Sequence, residues 1–196
     1  MSKIFSFIGA QGVGKTTILN EIIKEHKDMN VITNVVRDLC EDKRIKINKK
    51  GNSEAQQIIF DVLKTKYIDY LFNLSYEEVD EGCISDRSLI DVVAYTKYLY
   101  DHKKINKTIY ELQLCSLKDW VYFNSFSFVY IYIPIEFPAV DDGVRDVDEK
   151  YRREIDENIK WILQECGIDY YILEGSIEER VEMMKNIIEF NKTGDQ

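Results

Sequence analysis

A three-layer α/β fold around a five-stranded parallel sheet is what this 196-residue sequence predicts, on three observations. Short apolar runs rich in β-branched and aromatic residues recur along the chain. Longer stretches of helical spacing separate them, an alternation that gives a parallel sheet covered on both faces. Residues 9–16 read GAQGVGKT and match G-x-x-x-x-G-K-[ST] at every fixed position, between a strand-like and a helix-like run. That context is the one the motif requires, so the fold class is the P-loop NTPase fold.

The first strand is residues 3–8, and residues 16–26 leave the loop as an amphipathic helix. The glycines let backbone N–H groups turn inward around a phosphate chain, and the helix start adds unpaired donors and a positive dipole end. Lys15 is placed to reach the outer phosphates and the Thr16 hydroxyl to sit on Mg²⁺. Gly9, Gln11, Gly12, Val13, Gly14, Lys15, Thr16 and Thr17 are therefore the candidate ATP-binding residues.

Residues 30–36 read as the second strand, with Arg37, Asp38 and Cys40 at its carboxyl end, where open parallel sheets place their ligand sites. A polar, basic stretch at 41–50 ends at Gly51. Ser53, as N-cap, opens a long helix whose apolar face runs from Ile58 to Leu71. Residues 82–86 form the third strand and end in Asp86, followed by Arg87, Ser88 and a helix over 89–100. A polar break at 102–107 leads into a helix through Tyr110 and Trp120. Residues 126–133 are the clearest strand, and Pro134 and Pro138 forbid a helix directly after it. A charged loop over 139–146 feeds a helix at 149–166 that Gly167 ends. Residues 168–173 are the fifth strand, and Gly175-Ser176 caps the last helix, 177–190. There is no repeat, low-complexity tract or linker, so residues 1–196 read as a single domain.

The balance of 26 basic against 35 acidic residues, net −9, argues against a general affinity for nucleic acid or anionic membrane. Cys40, Cys83, Cys115 and Cys166 are far apart and never form C-x-x-C, so they read as buried or partly buried free thiols of a reducing cytosol. The N-terminal apolar stretch is too short for a signal peptide and runs directly into the glycine loop. The longest apolar run, 126–135, is too short to span a bilayer, so a soluble cytoplasmic protein is expected.

Around the loop stand the residue types that phosphoryl transfer uses. Asp86, at the end of a neighbouring strand, suits a magnesium partner, a base for an attacking hydroxyl, or both. Arg87 and Arg37 have the fork geometry that phosphate oxygens accept, and Asp38 stands beside Arg37. Arg145, with Arg152 and Arg153 beyond it, suits a closing arginine that stabilises charge on the moving group. Gln56 and Gln57 are candidates for a base edge, and Tyr95 and Phe60 for base stacking, against a core role for the aromatics.

The glycine loop, Arg37, the D-R-S-L-I-D run from Asp86 to Asp91 and the D-D-G-V-R run ending at Arg145 together resemble the NadR-like P-loop kinase family. That family includes ribosylnicotinamide kinase domains and many small phage and bacterial proteins, and the likeness covers essentially the whole chain. It implies a nucleoside or nucleotide kinase using ATP and Mg²⁺, with a lid at about 136–153 containing Arg145. It also implies that Gly175 and Ser176 lie near adenine and that Arg37 and Asp86 face the acceptor. One departure stands out: the family's acid three residues before the arginine that Arg37 matches is Asn34 here, so the base falls to Asp38 or Asp86, or the acceptor differs.

The leading expectation is transfer of the γ-phosphoryl of Mg·ATP to a hydroxyl or phosphate of a small nucleoside-type molecule. The alternative acceptor is a modified base, such as a hydroxymethylpyrimidine, or an end in DNA, gripped by the lysines at 43–50 and 103–107. A nucleotide-dependent switch is the remaining class, and it lacks support: neither Asn106-Lys107 nor Asn191-Lys192 continues as N-K-x-D. No membrane partner is expected, and a homodimer is compatible with the sequence.

Overall fold

The computed structural model describes residues 3–43, 45–73, 81–138 and 148–193. Five strands form one parallel sheet in the order β2-β3-β1-β4-β5: β1 is Ile4–Ile8, β2 Asn30–Ile32, β3 Cys83–Ser85, β4 Phe128–Tyr132 and β5 Tyr171–Ile172. The central pair runs in register from Ile4 opposite Phe128 to Ile8 opposite Tyr132, and every residue of both strands is buried. Strands covered on both faces need apolar side chains at nearly every position, the pattern that both runs carry.

The helices are α1 Lys15–Glu25, α2 Val35–Lys43, α3 Ser53–Asn73, α4 Leu89–Asp101, α5 Lys107–Asn124, α6 Glu149–Glu165 and α7 Ile177–Thr193. α1 packs on α7, while α4 packs on α3, α5 and α6, so the sheet is sandwiched between two helical layers. Sequence chemistry sets most of the helix starts. Ser88 caps α4 by accepting from the Asp91 N–H, and Asn106 caps α5. Asp148 caps α6 by accepting from the N–H groups of Lys150 and Tyr151. In α7, Ser176 accepts from the Glu179 N–H while its own N–H donates to the Glu179 carboxylate, a reciprocal capping box.

Three expectations are corrected. Asn52, one residue earlier than Ser53, caps α3 by accepting from the Ala55 N–H at 2.8 Å. Cys115 is exposed, unlike the other three cysteines. The largest correction is at the second strand, which stops at Ile32. Asn34 sits at φ 59°, a left-handed conformation that asparagine tolerates. This turns the chain out of the sheet, and the Asn34 carbonyl accepts the Asp38 N–H to start α2. The β-branched pair Val35-Val36, read as strand, is the first turn of a helix, and Val35 and Leu39 form its buried i,i+4 stripe.

At the sheet's carboxyl edge, backbone crowding decides the loop. A Cβ on Gly9 would lie 2.7 Å from the Ile133 carbonyl oxygen, just beyond β4. Gly9→Ala is therefore expected to cost about 1–3 kcal/mol through overpacking, read as a lower urea midpoint with an unchanged m-value.

Candidate functional site

A cavity of about 460 Å³ opens at the carboxyl ends of β1, β2 and β3. Residues 11–17 form one wall, Asn34 to Arg37 with Cys40, Glu41, Ile45, Ile47 and Asn48 form the other, and Asp86 and Arg87 lie between them. Five of the candidate residues on the acceptor side were expected from sequence; the structure brings Arg37, Asp86 and Arg87 to the cleft and leaves Asp38 and Gln56 out of its lining.

The glycine wall presents the start of α1. Gly14 is its N-cap residue at φ 97°, no side chain caps the helix, and its first turn carries no acid. The helix therefore offers its positive end to the cleft without a side-chain anion in that turn. Lys15 is buried, and its Nζ donates to the carbonyls of Gly9 and, at 2.9 Å, Ala10. Asp91, at the start of α4, accepts the Gly9 N–H at 3.0 Å. Burial pushes the Asp91 carboxyl up from the usual aspartate range, against the opposing pull of the Lys15 and Arg87 charges and backbone hydrogen bonds.

The floor is the turn after β3. The Arg87 carbonyl accepts from the Tyr67 hydroxyl at 2.5 Å, from Ser85 Oγ at 2.8 Å and from Ser6 Oγ at 3.2 Å. Three hydroxyls from α3, β3 and β1 thus hold one peptide group, and with it the placement of Asp86 and Arg87. Removing the Tyr67 hydroxyl leaves buried serines short of a partner. Tyr67→Phe is expected to lower stability by about 1–3 kcal/mol, measured by denaturant unfolding, and to reduce activity through the displaced turn. Burial works against the Arg87 charge, but Tyr95, Asp91 and Asp86 outweigh it and hold the proton more firmly than usual.

Asp86 is held on one side only. Its Oδ2 accepts from Thr33 Oγ1 at 2.9 Å, while Oδ1 is buried and has no hydrogen-bond partner. Asp86 lines the cavity, and a buried carboxylate oxygen without a partner is costly, so a small shift of this side chain toward a hydrated divalent cation or a substrate hydroxyl would relieve that cost. Among the described residues no cluster of three or more His, Cys, Asp or Glu could hold a metal by protein ligands alone. Thr16 and Asp86 are oxygen donors of the kind that would suit Mg²⁺ if water and phosphate completed its shell.

The opposite wall exists because α2 is a helix. Val36, Arg37, Cys40 and Glu41 lie on its cleft-facing side, at the i, i+1, i+4 and i+5 positions of one helical face. Asp38 is exposed and does not line the cavity. Glu41, Ile45, Ile47 and Asn48 were missed in sequence as cleft residues; the i+4 step from Arg37 to Glu41 was the available signal. Burial raises the Cys40 thiol above its usual value, with Glu41 adding to the shift and Arg87 opposing it.

Several other candidates sit elsewhere. Gln56 is buried between α3 and α4, its side-chain oxygen accepting from Thr96 Oγ1, so it serves helix packing. Gln57 links α3 to α5, accepting from Gln113, and donates to Asp61 on its own helix. Phe60 and Tyr95 are core, and the Tyr95 hydroxyl donates to the Gln11 side chain. Gly175 and Ser176 lie at the β5–α7 turn, where the Gly175 N–H donates to Glu136; Gly175 borders a separate shallow cavity with Glu174 and Glu179. Arg153 is exposed, whereas Arg152 is fully buried and donates from Nε to the Gln11 carbonyl at 3.0 Å. Residues 139–147, and with them Arg145 and the centre of the expected lid, lie outside the described residues.

The model of an AAA domain family, AAA_28, matches residues 4–180. The chain belongs to the AAA_28 family. No curated protein sequence matches this AAA_28 domain. Among solved structures it is similar to NadR protein in complex with NR, at TM-score 0.71 and 19% identity over 98% of this chain and 52% of that one. It thus spans about half of NadR. It is also similar to deoxyadenosine kinase from M. mycoides, at TM-score 0.62 and 16% identity over 95% and 98% of the two chains. YorR from Bacillus subtilis, in complex with phosphorylated GDP, follows at TM-score 0.52 and 16% identity over 97% and 98%. At these identities the likeness is one of fold, and it agrees with the P-loop α/β architecture and the NadR-like resemblance read from the motifs. No helix of the described residues of this AAA_28 domain is long and apolar enough to cross a membrane.

Proposed function

We propose that this AAA_28 domain is a kinase that moves the γ-phosphoryl of Mg·ATP onto a hydroxyl or phosphate of a small nucleoside or nucleotide. One observation carries the reading: the glycine loop and a second wall of mixed apolar and polar side chains share a single cleft, with Asp86 and Arg87 between them. The cavity, about 460 Å³, suits a small ligand. Its second wall mixes apolar Val36, Ile45 and Ile47 with polar Arg37, Glu41 and Asn48, which suits a flat base with a polar edge.

In this reading the loop amides and the α1 terminus hold the triphosphate, and Lys15 leaves the Gly9 and Ala10 carbonyls to meet its outer oxygens. Thr16 and Asp86 would hold Mg²⁺, which would supply charge neutralisation on the phosphates. The acceptor oxygen bonds to the γ-phosphorus as the bridge to ADP breaks. Where the acceptor is a hydroxyl, its proton passes to the Asp86 carboxylate. Arg37 and Arg87 balance acceptor charge, and little covalent help is needed because positioning carries the rate. In the same reading Arg145 and a closing lid complete the nucleotide side, and Gly175 and Ser176, outside the cleft lining, would meet only the base end of a bound nucleotide.

A small acceptor is favoured over DNA by the fate of the basic runs. Lys49 pairs with Asp148 at 2.7 Å, and Lys104 donates to the Lys49 carbonyl, so both are engaged within the fold. The test is transfer of label from γ-labelled ATP to free nucleosides, their monophosphates and duplex DNA. Label on a nucleoside or nucleotide is expected; label on DNA alone, or none on any acceptor, overturns the proposal.

A further inference from the structure

Two buried arginines remain outside this mechanism, and both end on the glycine loop. Arg152 of α6 and Arg180 of α7 are each 0% exposed. Arg152 donates to the Gln11 carbonyl at 3.0 Å, and Arg180 donates from one terminal nitrogen to the Val13 carbonyl at 2.8 Å. The other terminal nitrogen of Arg180 meets Glu136 at 2.5 Å, and its guanidinium lies 5.2 Å from the centre of the Phe137 ring. Arg152 in turn donates to the Phe137 carbonyl at 3.2 Å and to Glu149. The two side chains therefore join the loop to the stretch just after β4.

The geometry of a trans peptide gives these contacts a consequence. The Gln11 carbonyl shares its peptide plane with the Gly12 N–H, and the Val13 carbonyl with the Gly14 N–H, each pair pointing in opposite directions. Carbonyls drawn outward onto arginines leave the Gly12 and Gly14 N–H groups directed the other way, and both glycines line the cleft. A cation on the carbonyl also polarises the peptide and strengthens the N–H as a donor. With Lys15 on Gly9 and Ala10, four carbonyls of the loop accept from cationic side chains. Burying two guanidinium groups is costly, and apolar residues would pack these helices at least as well. The Arg180 Nε is even left buried without a hydrogen-bond partner.

We infer that Arg152 and Arg180 are positioning residues that hold alternate peptide planes of the glycine loop so that the Gly12 and Gly14 amides point at the triphosphate. The inference rests on the cleft binding Mg·ATP. Its test is calorimetric titration of the whole chain with Mg·ATP and with magnesium tripolyphosphate, which engages the cradle without a base. Arg180→Met is expected to weaken both ligands by a similar factor, about ten-fold or more, with the acceptor KM within about two-fold. In glycine-¹⁵N-labelled protein, Arg180→Met is expected to shift the Gly14 amide, and Arg152→Met the Gly12 amide. A cooperatively folded Arg180→Met protein that binds tripolyphosphate as wild type does overturns the inference.

Should Arg180→Met not fold, Arg180→Lys decides the matter. One nitrogen cannot hold Val13 and Glu136 from separate atoms, so tripolyphosphate affinity is expected to fall by about three-fold or more. Wild-type affinity in that variant overturns the inference. Failure of the wild-type chain itself to bind Mg·ATP is a different result, and it removes the kinase reading on which the inference stands.

Discussion

Lys15→Ala is expected to lower phosphoryl transfer by about two to three orders of magnitude while leaving the fold intact. The ammonium is the only cation inside the glycine wall itself, buried and already within hydrogen-bond distance of the Ala10 carbonyl at 2.9 Å. In the proposed mechanism, its removal takes a full charge from the place where the transferred group gathers negative charge. Gly9 and Ala10 are buried, but Lys15 lines the cavity, so the space its side chain vacates opens to water that can reach the freed carbonyls. Melting temperature is therefore expected to change little, and Mg·ATP affinity and turnover to fall together. Measuring label transfer beside a melting curve separates these effects. A folded Lys15→Ala protein with wild-type turnover would falsify the proposed chemistry.

Asp86→Asn is expected to reduce turnover by about 10²–10⁴-fold, with a smaller change in ATP binding. Asparagine keeps the shape and can still accept from Thr33, but it loses the charge and the capacity to take a proton. The contrast that gives this result meaning is Asp38→Asn. Asp38 is exposed on α2 and does not line the cleft, so its substitution is expected to leave turnover within about two-fold, as for most surface changes. Equal losses from the two substitutions would show that the base had been assigned to the wrong carboxylate. Turnover and KM for both substrates, measured on both variants, provide the comparison.

That pair also shows where sequence reasoning stopped. From sequence, Asp38 and Asp86 both stood as replacements for the acid missing at Asn34, because each follows a strand-like run. The distinction came from the left-handed turn at Asn34, which converts residues 35–43 from strand and loop into helix. On a helix, adjacent residues point about 100° apart, so Arg37 faces the cleft and Asp38 does not. The same helix supplied Glu41 to the acceptor wall. A β-branched pair after a strand carried the opposite signal, and tertiary packing of Val35 and Leu39 overrode it.

By itself the sequence determined the α/β class, the five strands and six of the seven helices described, and the glycine-loop wall of the cleft. It could do so because hydrophobic periodicity, capping residues and the glycine motif are local properties, written within a few turns of the chain. Only the tertiary structure decided which charged residues meet. Arg180 reaches Val13 across 167 positions and Arg152 reaches Gln11 across 141, while Gln56 turns from the cleft into a helix interface. No spacing rule reports such contacts, since they depend on which ends of the strands the sheet order brings together.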